Sequence, residues 1–174
     1  MHSSPVYSRS RPDAVASVQA VHAAALVTED QAVSLVTQLE GFFDEVSSIQ
    51  GDLYKGNALW DGKKVVSLLD FEFAVVAPVE LDLNELAKHV FGPSANEGRR
   101  LASDEEERAV LDIAAGMLLH PPLLKAYAIL LEAWFTQREI NRLSLRDLQR
   151  TESCRRLVAL ADGDGGYLAP LLDT

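Results

Sequence analysis

The stretch Ser48–Leu83, SIQGDLYKGNALWDGKKVVSLLDFEFAVVAPVELDL, decides how the chain is read. Ala58-Leu59-Trp60 and Val65-Val66-Ser67-Leu68-Leu69 are short apolar and β-branched runs on either side of Asp61-Gly62. That pair favours positive φ and predicts a hairpin. Folding the hairpin carries Asn57 and Asp70 toward each other, because they stand at its two open ends. An amide oxygen and a carboxylate so placed make a hard, oxygen-rich site suited to Mg²⁺. Asp52 lies one short loop away, where a carboxylate can take a proton from a hydroxyl. Glu72 adds another acid beside Asp70, and carboxylates held close together raise one pKa, giving an acid and base pair. The candidate catalytic residues are Asp52, Asp70 and Glu72, and the candidate metal ligands are Asn57 and Asp70. Lys55, close to Asn57, is a candidate contact for a phosphate or a substrate.

The order of these residues resembles the C-terminal lobe of the aminoglycoside phosphotransferase and choline kinase family, relatives of the protein kinases. Gln50-Gly51-Asp52-Leu53-Tyr54-Lys55-Gly56-Asn57 stands where that family has His-Gly-Asp, four residues and Asn. Asp70 in Leu69-Asp70-Phe71-Glu72 matches its metal-binding Asp after a hairpin. Pro78 to Leu83, with Asp82, matches its Pro-x-x-x-Asp-Leu element. The resemblance implies that Asp52 accepts the substrate proton while Asn57 and Asp70 hold metal on the phosphates. It also implies a mainly α fold, the helical C-lobe of the kinase-like fold with a small β-hairpin carrying the active-site loop. Gln50 departs from the family's His. Glutamine still hydrogen-bonds, so the loop can keep its geometry with altered tuning.

Length and charge bound the alternatives. The 174 residues, 48% apolar, suffice for one domain with a real core. A formal net charge of −10 excludes the basic footprint that nucleic acid requires and suits a cationic small-molecule ligand. Cys154 is the single cysteine, so no internal disulfide can form, and no Cys/His spacing indicates zinc. The first residues lack an apolar signal core and no run is long enough for a membrane span, so a cytoplasmic location is expected.

Residues 1–12, rich in Ser and Pro, read as a loose arm ahead of a single domain over 13–174. Helical spacing predicts a helix from Asp13 to about Leu26. A Thr28/Gln31 capping box opens a second to about Phe43, with Val33, Val36, Leu39 and Phe43 on one face. His22, on the first helix, reads as a packing residue. Further helices are expected from Asp82 to Phe91, from Ser103 with its Glu106 partner, and from His120 to about Arg142. The last carries a stripe of Leu124, Tyr127, Leu131, Trp134 and Phe135. A final helix is expected from Ser144 to Ala161, with Arg146, Arg150, Arg155 and Arg156 on its solvated side.

A family kinase has a β-rich nucleotide lobe, with a Gly-rich loop and a strand lysine, ahead of this helical lobe. Here the first glycine is Gly41 and no lysine precedes Lys55, so the nucleotide lobe reads as absent and ATP is not expected to bind tightly to this chain alone. The leading expectation is a small-molecule tailoring enzyme of specialised metabolism, working without ATP by cyclisation, dehydration or isomerisation with Asp52 as base. The alternatives are an O-phosphotransferase completed by a nucleotide lobe from a partner chain, and a non-catalytic scaffold. An uncovered hairpin surface carrying Leu59, Trp60, Val65 and Leu68 further predicts a homodimer.

Overall fold

The computed structural model describes residues 11–41, 47–49, 53, 55–71, 74–92, 102–118 and 120–172. Helix α5 (Pro121–Glu139) is its central beam. The run Leu123-Leu124-Lys125-Ala126-Tyr127-Ala128-Ile129-Leu130-Leu131 is apolar nearly all round, and a helix of that kind must be enclosed on several sides. Accordingly α1 (Arg11–Ala23), α3 (Glu80–Phe91) and α7 (Glu152–Ala161) all pack on it. Pro121 and Pro122 stand in its first turn, where the missing N–H groups are unneeded and the fixed φ suits helix entry. The architecture is mainly helical, as the sequence leads one to expect.

Local signals explain most helix starts. Both capping boxes form, Thr28 with Gln31 ahead of α2 (Glu29–Gln38) and Ser103 with Glu106 ahead of α4 (Asp104–Met117). The first helix stops short of Leu26. Ala25 takes a left-handed φ of 57°, and the turn tucks Leu26 and Val27 into the core. His22 ties this corner, its Nδ1 lying 3.2 Å from the Val27 carbonyl and its Nε2 2.9 Å from Glu29. On α2 the buried side chains are Leu35 and, just beyond its end, Leu39, while Val33 faces solvent at 57% exposure. The partner helix decides this. Ser34 Oγ donates to the Ala161 carbonyl at 2.9 Å and Gln38 Nε2 to that of Leu160 at 3.1 Å, turning that side toward α7. Phe43 lies outside the described residues.

The expected last helix is two. Between α6 (Leu145–Leu148) and α7 the chain breaks, and Thr151 caps a new start through its hydroxyl and the Cys154 N–H. Arg156 is correspondingly not on a solvated face, since it reaches inward to the buried Glu132 of α5. Past α7, Gly163, Gly165 and Gly166 all take positive φ, a conformation that glycine adopts cheaply, and turn the chain toward Tyr167 and α8 (Ala169–Leu172). No single helix among the described residues is long and apolar enough to cross a membrane.

Among the described residues, four short strands make two antiparallel ribbons. One pairs β1 (Ser47–Ile49) with β4 (Val75–Ala77), and the other pairs β2 (Ala58–Trp60) with β3 (Val65–Leu68). The second is the expected hairpin, but its connection is not a two-residue turn. Trp60 pairs with Val65 past a bulge, and the loop runs over Asp61–Lys64, closed by Asp61 N–H donating to the Lys64 carbonyl at 3.2 Å. Gly62 alone in that loop has positive φ, at 94°. The Asp61 carboxylate explains the wider loop, since Oδ1 accepts from the N–H groups of Lys63 and Lys64 at 2.8 and 2.9 Å.

Candidate functional site

The two ribbons bracket two loops. In the β1–β4 ribbon Ile49 pairs with Val75, so the chain leaves toward residue 50 beside the point where it arrives from residue 74. In the β2–β3 ribbon Ala58 pairs with Leu68, and the Leu69 N–H donates to the Asn57 carbonyl at 2.8 Å. Segments 50–57 and 69–74 therefore start and end as neighbours. The hairpin brings Asn57 together with the Leu69–Asp70 corner as its two open ends. Asn57, closing the short 3₁₀ turn Lys55–Asn57, is buried. Asp70 is exposed and has a left-handed φ of 55°. Aspartate tolerates that region better than most residues, and such backbone tends to be kept where a side chain must point in a set direction. Asp52 and Glu72 belong to the bracketed segments and lie outside the described residues, as do Gln50 and Gly51. Of Lys55 only the backbone is described.

Behind the loops the chain enters α3 through Ala77 and Pro78, both buried. The first turn of α3 holds Glu80 and Asp82, also buried, at a helix end whose dipole favours negative charge. Glu80 Oε1 accepts the His120 N–H at 2.9 Å, fastening the site-bearing helix to the start of α5. Burial, with Glu80 nearby, pushes the Tyr127 hydroxyl up to about 12, so Tyr127 stays a neutral phenol. Among the described residues no three His, Cys, Asp or Glu side chains form a metal-binding group. The backbone of the hairpin sets Asn57 beside the Leu69–Asp70 corner.

A second polar cluster is absent from the sequence reading. Glu132, enclosed within α5, meets Arg156 Nη1 at 3.1 Å, and Arg156 also pairs with Glu152 one turn before it. The guanidinium lies over the Tyr167 ring, 5.7 Å from its centroid, and Tyr167 donates to Asn84 Oδ1 at 2.7 Å. Burial pushes the Glu132 carboxyl up, opposed by Arg156 and Lys88. For Arg156, burial alone favours loss of charge, but Glu132 and Glu152 outweigh it and its pKa rises. The signal was readable: a glutamate inside Ala-Ile-Leu-Leu-Glu-Ala-Trp-Phe requires a buried cation. This cluster joins α3, α5, α7 and the C-terminal turn, and so holds the frame on which the loops sit.

Two thin ribbons backed by a helical bundle thus hold the two loops that carry the candidate residues. The comparison with known families agrees: the model of the phosphotransferase enzyme family matches residues 49–113, from the end of β1 into α4. That segment is less than half of the chain. No curated protein and no solved structure gives a significant match.

Proposed function

We infer that residues 49–113 form the catalytic side of a small-molecule O-phosphotransferase. One observation carries the reading: the β2–β3 ribbon sets Asn57 against Leu69–Asp70 inside the very segment that matches the family. In this reading Asp52 takes the proton of an acceptor hydroxyl as that oxygen attacks the terminal phosphorus of a nucleoside triphosphate, whose bond to the bridging oxygen breaks to release the diphosphate. Asn57 and Asp70 supply amide and carboxylate oxygens, the donor type Mg²⁺ prefers. The ion, when bound, offsets the charge on the phosphate oxygens. Lys55 reaches a phosphate or the acceptor, and Glu72 adds negative charge that suits a cationic acceptor. The transfer depends on positioning and charge neutralisation, so a nucleotide-gripping lobe, in the same polypeptide or a partner, belongs to the working enzyme.

The test is thermal unfolding of the purified chain with Mg²⁺, ATP and both together. A ligand held by the native state alone raises stability by about 2.7 kcal/mol at a hundredfold excess over its Kd. Mg²⁺ is expected to raise the melting temperature, Asp70→Asn to remove most of that shift, and Asp52→Asn to keep it. Equal shifts in wild type and Asp70→Asn would sink the metal-site assignment.

A second reading has its own support. Ahead of β1 the described residues form α1, α2 and a short 3₁₀ turn packed on α5, without a strand. The acids of the same loops also suit ATP-independent acid and base chemistry, with Asp52 as base. It prevails if Mg²⁺ leaves the melting temperature unchanged while a cationic metabolite raises it in wild type and fails to do so in Asp52→Asn.

A further inference from the structure

An open cavity of about 420 Å³ lies where the end of α2, the start of α5 and α8 meet, lined by Thr37, Gln38, Pro121, Pro122, Lys125 and Leu172. That volume is within the range of small-molecule sites. Pro121, Pro122 and Leu172 make the lining mostly apolar. The polar groups around it are mostly engaged inside the protein. Thr37 Oγ1 donates to the Val33 carbonyl at 3.0 Å, and Gln38 Nε2 donates to the Leu160 carbonyl at 3.1 Å. The first turn of α5 offers no backbone donor, because the prolines lack N–H groups and Leu123 and Leu124 both donate to the His120 carbonyl. Lys125 is left. It is half-buried and has no carboxylate partner among the described residues, in a chain with 26 acidic and 16 basic side chains.

One cation set in an apolar wall without other free donors has a defined complement. A sugar would leave its hydroxyls unpaired, a cation would be repelled, and a phosphate needs several donors. A single carboxylate on an alkyl chain satisfies the ammonium and buries its methylenes against Pro121, Pro122 and Leu172. We propose that this cavity binds an aliphatic carboxylate, with the head group on Lys125 Nζ. None of the lining residues belongs to the loops between residues 49 and 77.

Isothermal calorimetry of the full chain with octanoate, octan-1-ol and octylammonium tests it. Octanoate is expected to bind one to one, and hexanoate about tenfold more weakly, since each methylene is worth about three- to fourfold. Lys125→Met should weaken octanoate at least tenfold and Lys125→Arg should retain it. Leu172→Trp, which fills the cavity from the far wall, should abolish binding without touching the lysine. Melting temperatures identify the variants that fold. Absence of octanoate binding, equal binding of octan-1-ol, an unchanged affinity in folded Lys125→Met, or competition by Mg-ATP would each overturn the proposal.

Discussion

Helix α5 and the β2–β3 ribbon are both rich in large apolar side chains, and the protein uses them in opposite ways. In α5 the residues Leu123, Leu124, Ile129, Leu130 and Leu131 are all enclosed by other helices. In and beside the ribbon, Leu59, Val65, Val66, Leu69 and Phe71 are each 40% exposed or more. The strands pack chiefly on each other. Stability therefore resides in the bundle, while the ribbon and its loops are a lightly held attachment. Elements that must admit a ligand are commonly drawn from this less stable end. Substitutions in the two regions should differ in size and in kind.

The largest effect is expected at the buried ion pair. Arg156→Met leaves Glu132 enclosed without its strongest partner, which costs about 3–5 kcal/mol. The double variant Arg156→Met with Glu132→Leu should recover most of that loss, because an apolar pair of similar volume needs no desolvation of charge. The sign of the pH dependence follows from burial. A carboxyl whose folded pKa is raised above its usual 4.5 contributes stability that is present below that value and lost as pH rises through the folded one. Losing Arg156 raises it further, so in urea midpoints the gap between wild type and Arg156→Met should widen as pH rises through the wild-type folded value. A gap independent of pH would mean that Glu132 is not the group left exposed to this penalty.

A smaller loss is expected where α3 ends. A Cβ built on Gly92 would stand 2.3 Å from the Lys88 carbonyl oxygen, the acceptor of the Gly92 N–H itself. Gly92→Ala must displace backbone, and overpacking of that kind costs about 1–3 kcal/mol. Chemical denaturation should show a lower midpoint with an unchanged slope.

The ribbon should respond differently. Val66→Ser removes an apolar side chain that is already 54% exposed, so unfolding should change by no more than about 0.5 kcal/mol. Its effect belongs to association. The exposed ribbon supports the proposal that a second copy covers it, and light scattering at micromolar concentration should find a dimer that Leu59→Ser with Val66→Ser converts to monomer. A wild-type monomer would leave the apolar surface to another partner.

The same contrast explains what could be read from the residues alone. Capping boxes at Thr28 and Ser103 and the hairpin at Asp61-Gly62 are local, written within a few positions, and they stand in the structure. On α2 Leu39 is buried and Val36 packs against the core as read, but Val33 faces solvent and Leu35 points inward, because Leu35 and Leu39 share a helical spacing as well and only contact with α7 selects between them. The break before Thr151 was hidden because apolar residues keep recurring across it. The pairing of β1 with β4 was not legible either, since both strands are three residues long and far apart in the chain. In the candidate site, Asn57 and the Asp70 corner meet as the hairpin requires, whereas Asp52 and Glu72 stand outside the described residues and rest on the family pattern.

The smallest expected effect sharpens the comparison most cleanly, because it separates local order in the ribbon from the stability of the whole. Asp61 is fully exposed, yet its carboxylate accepts two backbone N–H groups in the loop that sets the hairpin register. Those bonds, first to Lys64 and then to Lys63, hold its pKa below the ordinary 3.8. A depressed carboxyl stabilises the folded loop at pH values above its ordinary value, and that contribution disappears as pH falls through the folded one. Asp61→Ala removes the bonds at every pH. Amide hydrogen exchange at Lys63, Lys64 and the β2–β3 pairing should accelerate in the variant near neutral pH and converge with wild type in acid, while exchange within α5 stays unchanged. If α5 exchange rose in step, the ribbon would be part of the cooperative core and the division drawn between the two regions would fail.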